Sequence, residues 1–266
     1  MKVVLVTGGG TGIGAAIAAR AAADGWQVVI TGRRREPLEA VAAAHPGIRI
    51  EVGDGADEIV VAKVVDNIRA TYGRLDAVVA NAGIMVEASV EETDLETWND
   101  VLRVNLTGPF LLARATMSLL RESRGAFVAI GSISGLRAST RSTAYATSKA
   151  GLSMLVRSIA IDEGASGVRA NIVCPGWVGT EMADEEMDRH AERSGLVDRD
   201  AAYADLTALV PARRPGRPEE IAGAVAWLIG GDATYVNAAE IVVDGGTVQV
   251  DAGTAPFAFS VTPRIP

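Results

Sequence analysis

Cysteine, histidine and lysine are all scarce in this 266-residue chain, which has only Cys174, His45 and His190, and Lys2, Lys63 and Lys149. A lone cysteine excludes an intramolecular disulfide and any cysteine-built metal site, so Cys174 reads as a small buried hydrophobe in a reducing compartment. Neither histidine belongs to a ligand-spaced cluster; both read as surface residues, and no metal is expected. Basic residues are outnumbered, and the net charge of −8 provides no basic face for nucleic acid or an anionic membrane. No apolar run reaches membrane-spanning length, and Met1 to Thr7 leads straight into glycines without a signal-type hydrophobic region. A cytoplasmic protein is the expectation. Aromatics make up only 5% of the residues against 48% hydrophobic residues overall, a balance rich in Ala, Val and Gly that suits helices packed closely on a buried parallel sheet.

Seven short β-rich runs are present, at Val3 to Val6, Val28 to Thr31, Arg49 to Val52, Ala77 to Ala80, Ala126 to Ile130, Arg169 to Val173 and Ile241 to Val243. Helical patterns lie between them, among them Ala15 to Asp24, Asp57 to Tyr72 and Tyr145 to Glu163, each followed by a glycine that predicts a C-terminal stop. This alternation predicts a single-domain α/β fold, a doubly wound Rossmann-type sheet of seven parallel strands with helices on both faces. Ligands of such sheets bind at the carboxyl ends of the strands. The domain is expected to span residues 1–246. Within it, Thr180 to Pro218 is charged and Met-containing, with helical patterns near Asp184 to Arg193 and Asp200 to Leu209; it reads as a mobile lid, with a disordered linker as the alternative. Residues 247–266 form an irregular tail whose Phe257 and Phe259 suggest packing on a neighbouring subunit. No internal repeat is visible.

Directly after the first strand comes Thr7-Gly8-Gly9-Gly10-Thr11-Gly12-Ile13-Gly14, then an Ala-rich helix. Glycines there let the backbone turn tightly and approach a pyrophosphate, while the free N–H groups and the helix dipole favour the anion. The second strand runs into Arg33, Arg34 and Arg35, where a site preferring NAD would place an acid on the ribose 2′-hydroxyl. Planar, always-charged guanidinium groups suit a 2′-phosphate, so NADP(H) is expected over NAD(H).

Further along, Tyr145 and Lys149 stand four residues apart, on one face of a helix. An ammonium beside a phenol of ordinary pKa about 10 makes that phenol a candidate acid/base.

With Thr7-Gly8-x-x-x-Gly12-Ile13-Gly14, Asn81-Ala82-Gly83, Asn105, Ser132, Tyr145-x-x-x-Lys149, Pro175-Gly176-x-Val178-x-Thr180 and Asp244-Gly245-Gly246 occurring in order, the chain resembles the short-chain dehydrogenase/reductase family from Val3 to about Gly246. The resemblance implies hydride transfer between a nicotinamide and a ketone or secondary alcohol. By carry-over, Tyr145 is the acid/base and Lys149 stabilises its phenolate, lowers its pKa and bonds the nicotinamide ribose. Ser132 would hydrogen-bond the substrate oxygen, the thirteen-residue spacing to Tyr145 favouring it over Ser134, and Asn105 would hold a water that links Lys149 to solvent. The same carry-over puts Gly8, Thr11, Gly12, Ile13, Gly14, Asn81, Ala82 and Gly83 along the cofactor. It brings Asp54 and Gly55 to the adenine, Val178 and Thr180 to the carboxamide, and Pro175 and Gly176 to the cofactor. Ser134, Leu136, Trp177, Met182 and Met187 would line a mostly apolar substrate pocket, with Trp177 offering a flat surface to a ring or medium-length aliphatic ketone. Arg137 and Arg141 are expected to face water.

A small-molecule ketone or alcohol is therefore the expected partner, and relatives imply a homotetramer built through the long helices. Two alternatives stand beside this reading. One is a 3-oxoacyl carrier-protein reductase, with Arg121 and Arg124 as a local basic patch for its acidic partner. The other is a cofactor-binding sensor without chemistry, which the four filled catalytic positions disfavour.

Overall fold

The structure, a computed structural model, describes residues 1–251. Residues 252–266, which hold most of the tail singled out above, lie outside the described residues. All seven expected strands form, β1 Val3–Thr7, β2 Gln27–Gly32, β3 Ile48–Val52, β4 Ala77–Ala80, β5 Ala126–Ile130, β6 Arg169–Pro175 and β7 Glu240–Val243. Every pairing is parallel, in the order β3-β2-β1-β4-β5-β6-β7. Successive side chains of a strand point to opposite faces, and β1 shows the result. Val3 and Leu5 enter a core built with α3 (Glu58–Tyr72), α5 (Gly108–Ser123) and α6 (Thr143–Glu163), while Val4 and Val6 enter a second core with α1 (Gly12–Ala23), α2 (Arg35–Ala44) and α9 (Pro218–Ile229). A three-layer α/β/α sandwich follows, in which the central strands β1, β4 and β5 are buried on both faces, whereas the edge strand β3 carries Arg49 and Glu51.

Helix ends follow local chemistry. The Asp57 carboxylate accepts from the amides of Ile59 and Val60 at 2.9 and 3.1 Å, and Gly73 closes α3 with a φ of 67°. At the far end of α6 the expectation shifts by three residues. Gly164 keeps right-handed backbone and opens a 3-10 turn, and Gly167, with a φ of 85°, makes the left-handed stop.

The winding of the sheet reverses between β1 and β4, so the crevice outside their carboxyl ends is the expected ligand site. Side chains lock that junction. Asn81, just past β4, donates from Nδ2 to the carbonyls of Thr7 and Gly8 at 2.9 and 3.1 Å, and Thr7 Oγ1 accepts from the amides of Asn81 and Ala82 at 3.0 and 3.1 Å. Over the crevice lie α7 (Glu181–Ser194) and α8 (Arg199–Leu206), so the segment read as a lid or a linker is folded. Met187, Ala191 and Ala202 form its own small core, against which Trp177, Leu196, Tyr203 and Leu206 pack.

Gly14 is where this architecture is least tolerant of change. A methyl group there would lie 2.1 Å from the Gly8 carbonyl oxygen and 2.5 Å from Asn81 Nδ2. Gly14→Ala is expected to cost at least about 3 kcal/mol, the upper range for overpacking against backbone. Gly223→Ala, in the interior of α9 with open space around the added methyl, should instead gain about 0.5–1 kcal/mol. Urea denaturation midpoints of the two variants test the contrast.

Candidate active site

The glycine turn sets up the first part of the site. Gly8 takes a φ of 64°, and Thr11 precedes α1 in extended backbone without capping it through its side chain. The first amides of α1 are thus left without a side-chain acceptor at the positive end of the helix dipole, a cradle that fits a pyrophosphate. Gly12 abuts the side chain of Thr180, so the turn after β1 meets the start of the lid. Nearby, Thr7, Asp54, Gly55, Ala56, Ala82, Val104, Gly108 and Pro109 line one shallow cleft. The side chain of Asp54 is already engaged there, accepting from the Ala56 amide and from Arg103 Nη1, both at 2.9 Å. Burial raises the Asp54 pKa, but the Ala56 amide, Arg103 and the charge of Arg33 outweigh it and hold the group below its ordinary value.

At the end of β2 the three arginines differ. Arg34 pairs with Glu181 of α7 and Arg35 with Glu39 one helical turn on, each at 3.3 Å. Arg33 is exposed and makes no hydrogen bond or ion pair among the described residues.

The second part of the site gathers Asn105, Ser132, Tyr145 and Lys149. Asn105 sits in a five-residue π-helical segment, Arg103–Thr107, between α4 (Leu95–Leu102) and α5. It is completely buried. Its Nδ2 donates to the Ile84 carbonyl at 2.8 Å and to Ser148 Oγ at 3.1 Å, while Oδ1 accepts from the Ile84 amide at 2.8 Å. The side chain thereby fastens the loop after β4 to α6. Gly83 lies against the same cluster, where a methyl group would stand 3.3 Å from Asn105 Oδ1 and 3.5 Å from Lys149 Nζ.

Ser132 ends the strand-to-helix turn after β5. Its Oγ accepts from the Ser134 amide at 3.1 Å, and the same hydroxyl lies close enough to the Tyr145 phenol to pull its pKa down. Ser132 rather than Ser134 is therefore the serine that acts on the tyrosine. Lys149 Nζ stands 5.6 Å from the centre of the Tyr145 ring and donates to the Ile130 carbonyl at 2.8 Å. Burial pushes its pKa down to about 8, with Cys174 a smaller opposing influence.

Tyr145 departs from the expected direction. Burial raises its pKa above the ordinary value, Ser132 works against that, and the charges of Glu186 and Cys174 add to the rise. Lys149 directs its ammonium at the Ile130 carbonyl, not at the phenolic oxygen, which is the physical reason for the difference. Cys174 itself is buried, its thiol pushed up to about 11 mainly by desolvation.

The substrate-side residues divide. Ser134, Leu136 and Trp177 are half-buried and Met182 is exposed at the start of α7. Met187 has no accessible surface. It fills the lid's own core, so the structure puts it behind the pocket wall instead of on it. Pro175 ends β6, and Gly176 packs directly on Asp244. The backbone of Trp177 to Gly179 pairs with Gly216, which anchors Val178 and Thr180 at the base of the lid. Arg141 bonds Glu92 at 2.9 Å instead of facing water alone. Sequence reasoning did not find Glu186, a half-buried carboxylate on α7 whose charge is felt at Tyr145.

A doubly wound sheet with a phosphate cradle at its switch point and a tyrosine, serine, lysine and asparagine gathered beside it defines a dinucleotide-dependent oxidoreductase. The family model described as enoyl-(acyl carrier protein) reductase matches residues 8–248. The chain is 33% identical to meso-2,3-butanediol dehydrogenase of Serratia marcescens, over 94% of this chain and 96% of the relative. It is 36% identical to the 3-oxoacyl-[acyl-carrier-protein] reductase MabA of Mycobacterium tuberculosis, over 91% of each. The crystal structure of levodione reductase superposes with a TM-score of 0.89 at 33% identity, covering 94% of this chain and 98% of that one. The chain belongs to the short-chain dehydrogenase/reductase family. It is an oxidoreductase that interconverts a ketone and a secondary alcohol with a nicotinamide cofactor.

Lys149 gives a stability test that does not depend on turnover. In the folded state its ammonium loses its proton near 8, whereas an exposed lysine holds it to 10.5. Across that window the unfolded chain binds more protons, so stability rises with pH, and below it the cost of burying the charge is fully present. Lys149→Met is therefore expected to stabilise the fold by about 2 kcal/mol near neutral pH, with a gain that shrinks near pH ~10 as the wild-type lysine neutralises. Denaturant midpoints of both proteins at the two pH values measure it.

Proposed function

We propose that the protein is an NADP-preferring reductase of small ketones, or dehydrogenase of the matching secondary alcohols, with Tyr145 as acid/base. The observation that carries this reading is the gathering of four side chains: Lys149 Nζ stands 5.6 Å from the Tyr145 ring centre, Asn105 and Lys149 both border Gly83, and Ser132 acts on the Tyr145 phenol. When bound, the nicotinamide supplies or accepts the hydride. In the reductive direction Tyr145 gives its phenolic proton to the substrate oxygen, and Ser132 donates a hydrogen bond to the same oxygen as charge develops there. Lys149 stands behind the phenol and replenishes the proton, and Asn105 fixes the Ile84 loop and Ser148 around it. Gly8, Thr11, Gly12, Ile13 and Gly14 hold the pyrophosphate, and Asn81, Ala82, Gly83, Asp54 and Gly55 flank the cleft beside it.

The NADP preference is supported by Arg33, exposed at the end of a strand that carries no acid, with Arg34 next to it. Reduction of a 3-oxoacyl group on a carrier protein is the rival, favoured by the likeness to the mycobacterial reductase. Against it, Arg121 is forked onto Glu163, which neutralises half of the basic patch such a carrier would need. A homotetramer is supported by the exposed apolar side chains of Phe110 on α5 and of Met154 and Ile161 on α6. Among the described residues no helix is long and apolar enough to cross a membrane.

Tyr145→Phe should fold and bind NADPH but reduce ketones at least about a thousandfold more slowly, the upper range for losing an acid/base group and its electrostatic role. Retained turnover in single-turnover absorbance assays would assign the proton to another residue. Arg33→Ala should raise the KM for NADPH about tenfold or more while leaving that for NADH nearly unchanged. Equal or better kcat/KM with NADH in the unmodified protein sinks the cofactor preference. Turnover of a carrier-bound acyl group well above that of any free ketone would replace the small-ketone reading with its rival.

A further inference from the structure

Helix α7 has three stripes, and each of the first two is explained by what it touches. Ala183, Met187 and Ala191 recur every four residues and are buried. Asp184 and Asp188 both take Arg199 of α8, at 3.0 and 2.5 Å. The remaining stripe carries Met182, Glu186 and Arg193, whose spacing sets them on one side of the helix.

Arg193 fixes where that side points. It forks onto both carboxylate oxygens of Glu87 at 3.0 Å. Glu87 belongs to the loop after β4, which is seated on Asn105 through Ile84 and on Arg141 through the Ala88 amide. The stripe thus looks down on the first turn of α6, where Tyr145 stands, and the Glu186 charge acts on the Tyr145 phenol.

Glu186 has no hydrogen bond or ion pair of its own among the described residues. The charged groups around it are Glu87, Arg189, Arg193 and His190. Arg193 is spent on Glu87 and His190 meets Asp205 at 2.9 Å, while Arg189 acts on Glu186 through its charge without a hydrogen bond to it. Desolvation, followed by the charge of Glu87, raises the Glu186 pKa. The shielded side of this carboxylate thus meets no protein donor, a position that a hydroxyl brought by a ligand can fill.

We infer that Glu186 is a specificity-determining residue that accepts a hydrogen bond from a second hydroxyl of the substrate, carried close to the carbon that Tyr145 serves. The inference rests on the reading of Tyr145 as acid/base. Arg189 and Arg193 already surround the carboxylate with positive charge, so a neutral O–H gains the bond without the repulsion that an ammonium would meet. A plain ketone leaves Glu186 desolvated and without a partner, and an anionic substrate faces it directly.

The test uses four secondary alcohols that differ only in the group beside the carbinol: sec-butanol with a methyl, propylene glycol with a hydroxyl, isopropanolamine with an ammonium and β-hydroxybutyrate with a carboxylate-bearing carbon. Oxidation kcat/KM is measured for each with the wild type, Glu186→Gln and Glu186→Ala. Wild type should prefer the glycol. Glu186→Ala should lower kcat/KM for the glycol about tenfold relative to sec-butanol, mainly through KM. Glu186→Gln, which keeps an acceptor oxygen, should retain part of the preference, and β-hydroxybutyrate should improve once the charge is gone. Glycol and sec-butanol falling together in both variants would overturn the inference, as would isopropanolamine proving the best wild-type substrate. Turnover of sec-butanol with an unchanged ratio overturns the role of Glu186 alone. A folded wild type that oxidises none of the four and reduces no ketone overturns the acid/base reading as well.

Discussion

The junction between Thr7 and Asn81 is the constraint on which the rest of the site depends. A parallel sheet that reverses its winding leaves a crevice between the two strands at the reversal, and backbone pairing alone does not set the geometry beyond their ends. Here one asparagine amide holds two carbonyls of the glycine turn while one threonine hydroxyl collects two amides from the opposite side. The turn after β1 and the turn after β4 therefore move as one piece. Gly14 packs on the same carbonyl that Asn81 grips, so the first helix is registered against it too.

From that fixed point the second half of the site is assembled by a relay of backbone groups. Asn81, Ala82 and Gly83 lead to Ile84, whose amide and carbonyl are both claimed by Asn105. Asn105 in turn holds Ser148, next to Lys149 on α6. A π-helical segment brings the asparagine to this position, and its extra residue per turn is a device frequently found at functional sites. The loop then reaches Glu87, where Arg193 ties down the lid. Helix α7 and the Asn105 cluster are thus joined through hydrogen bonds that run along one loop.

How much of this was legible in the residues depends on whether the signal was local. The seven strands and the glycine-closed helix α3 were legible because period, cap and stop lie within a few residues of each other. That Tyr145 and Lys149 share one helix face was legible for the same reason, whereas Ser132 came from the family resemblance, its spacing to Tyr145 only favouring it over Ser134. The role of Asn81 in binding Thr7 and Gly8 was not, since it depends on a contact across more than seventy positions of the chain. The π-helical register of Arg103–Thr107 leaves no pattern in the sequence. Met187 was expected at the substrate pocket, on the lid, by its position in the family; the second helix of that segment, with Ala202, covers it instead. Glu186 was hidden among Asp184, Glu185 and Asp188, a run that reads as a solvated acidic face until Arg199 shows that Asp184 and Asp188 are neutralised.

The electrostatics of the gathered site favour uncharged side chains. Burial raises the tyrosine, lowers the lysine to about 8 and lifts Cys174 to about 11. An isolated phenolate or ammonium is costly there, whereas a proton passed between neighbours creates no lasting charge. The one influence that lowers the tyrosine pKa is Ser132. In the proton transfer proposed above, Ser132 would act on both partners, offering a donor to the substrate oxygen and easing the phenol toward ionisation. Glu186 pulls the other way, raising the phenol pKa from across the crevice. A substrate hydroxyl bonded to that carboxylate would spread its charge, so substrate recognition at the lid and acidity at Tyr145 are joined by the same electric field.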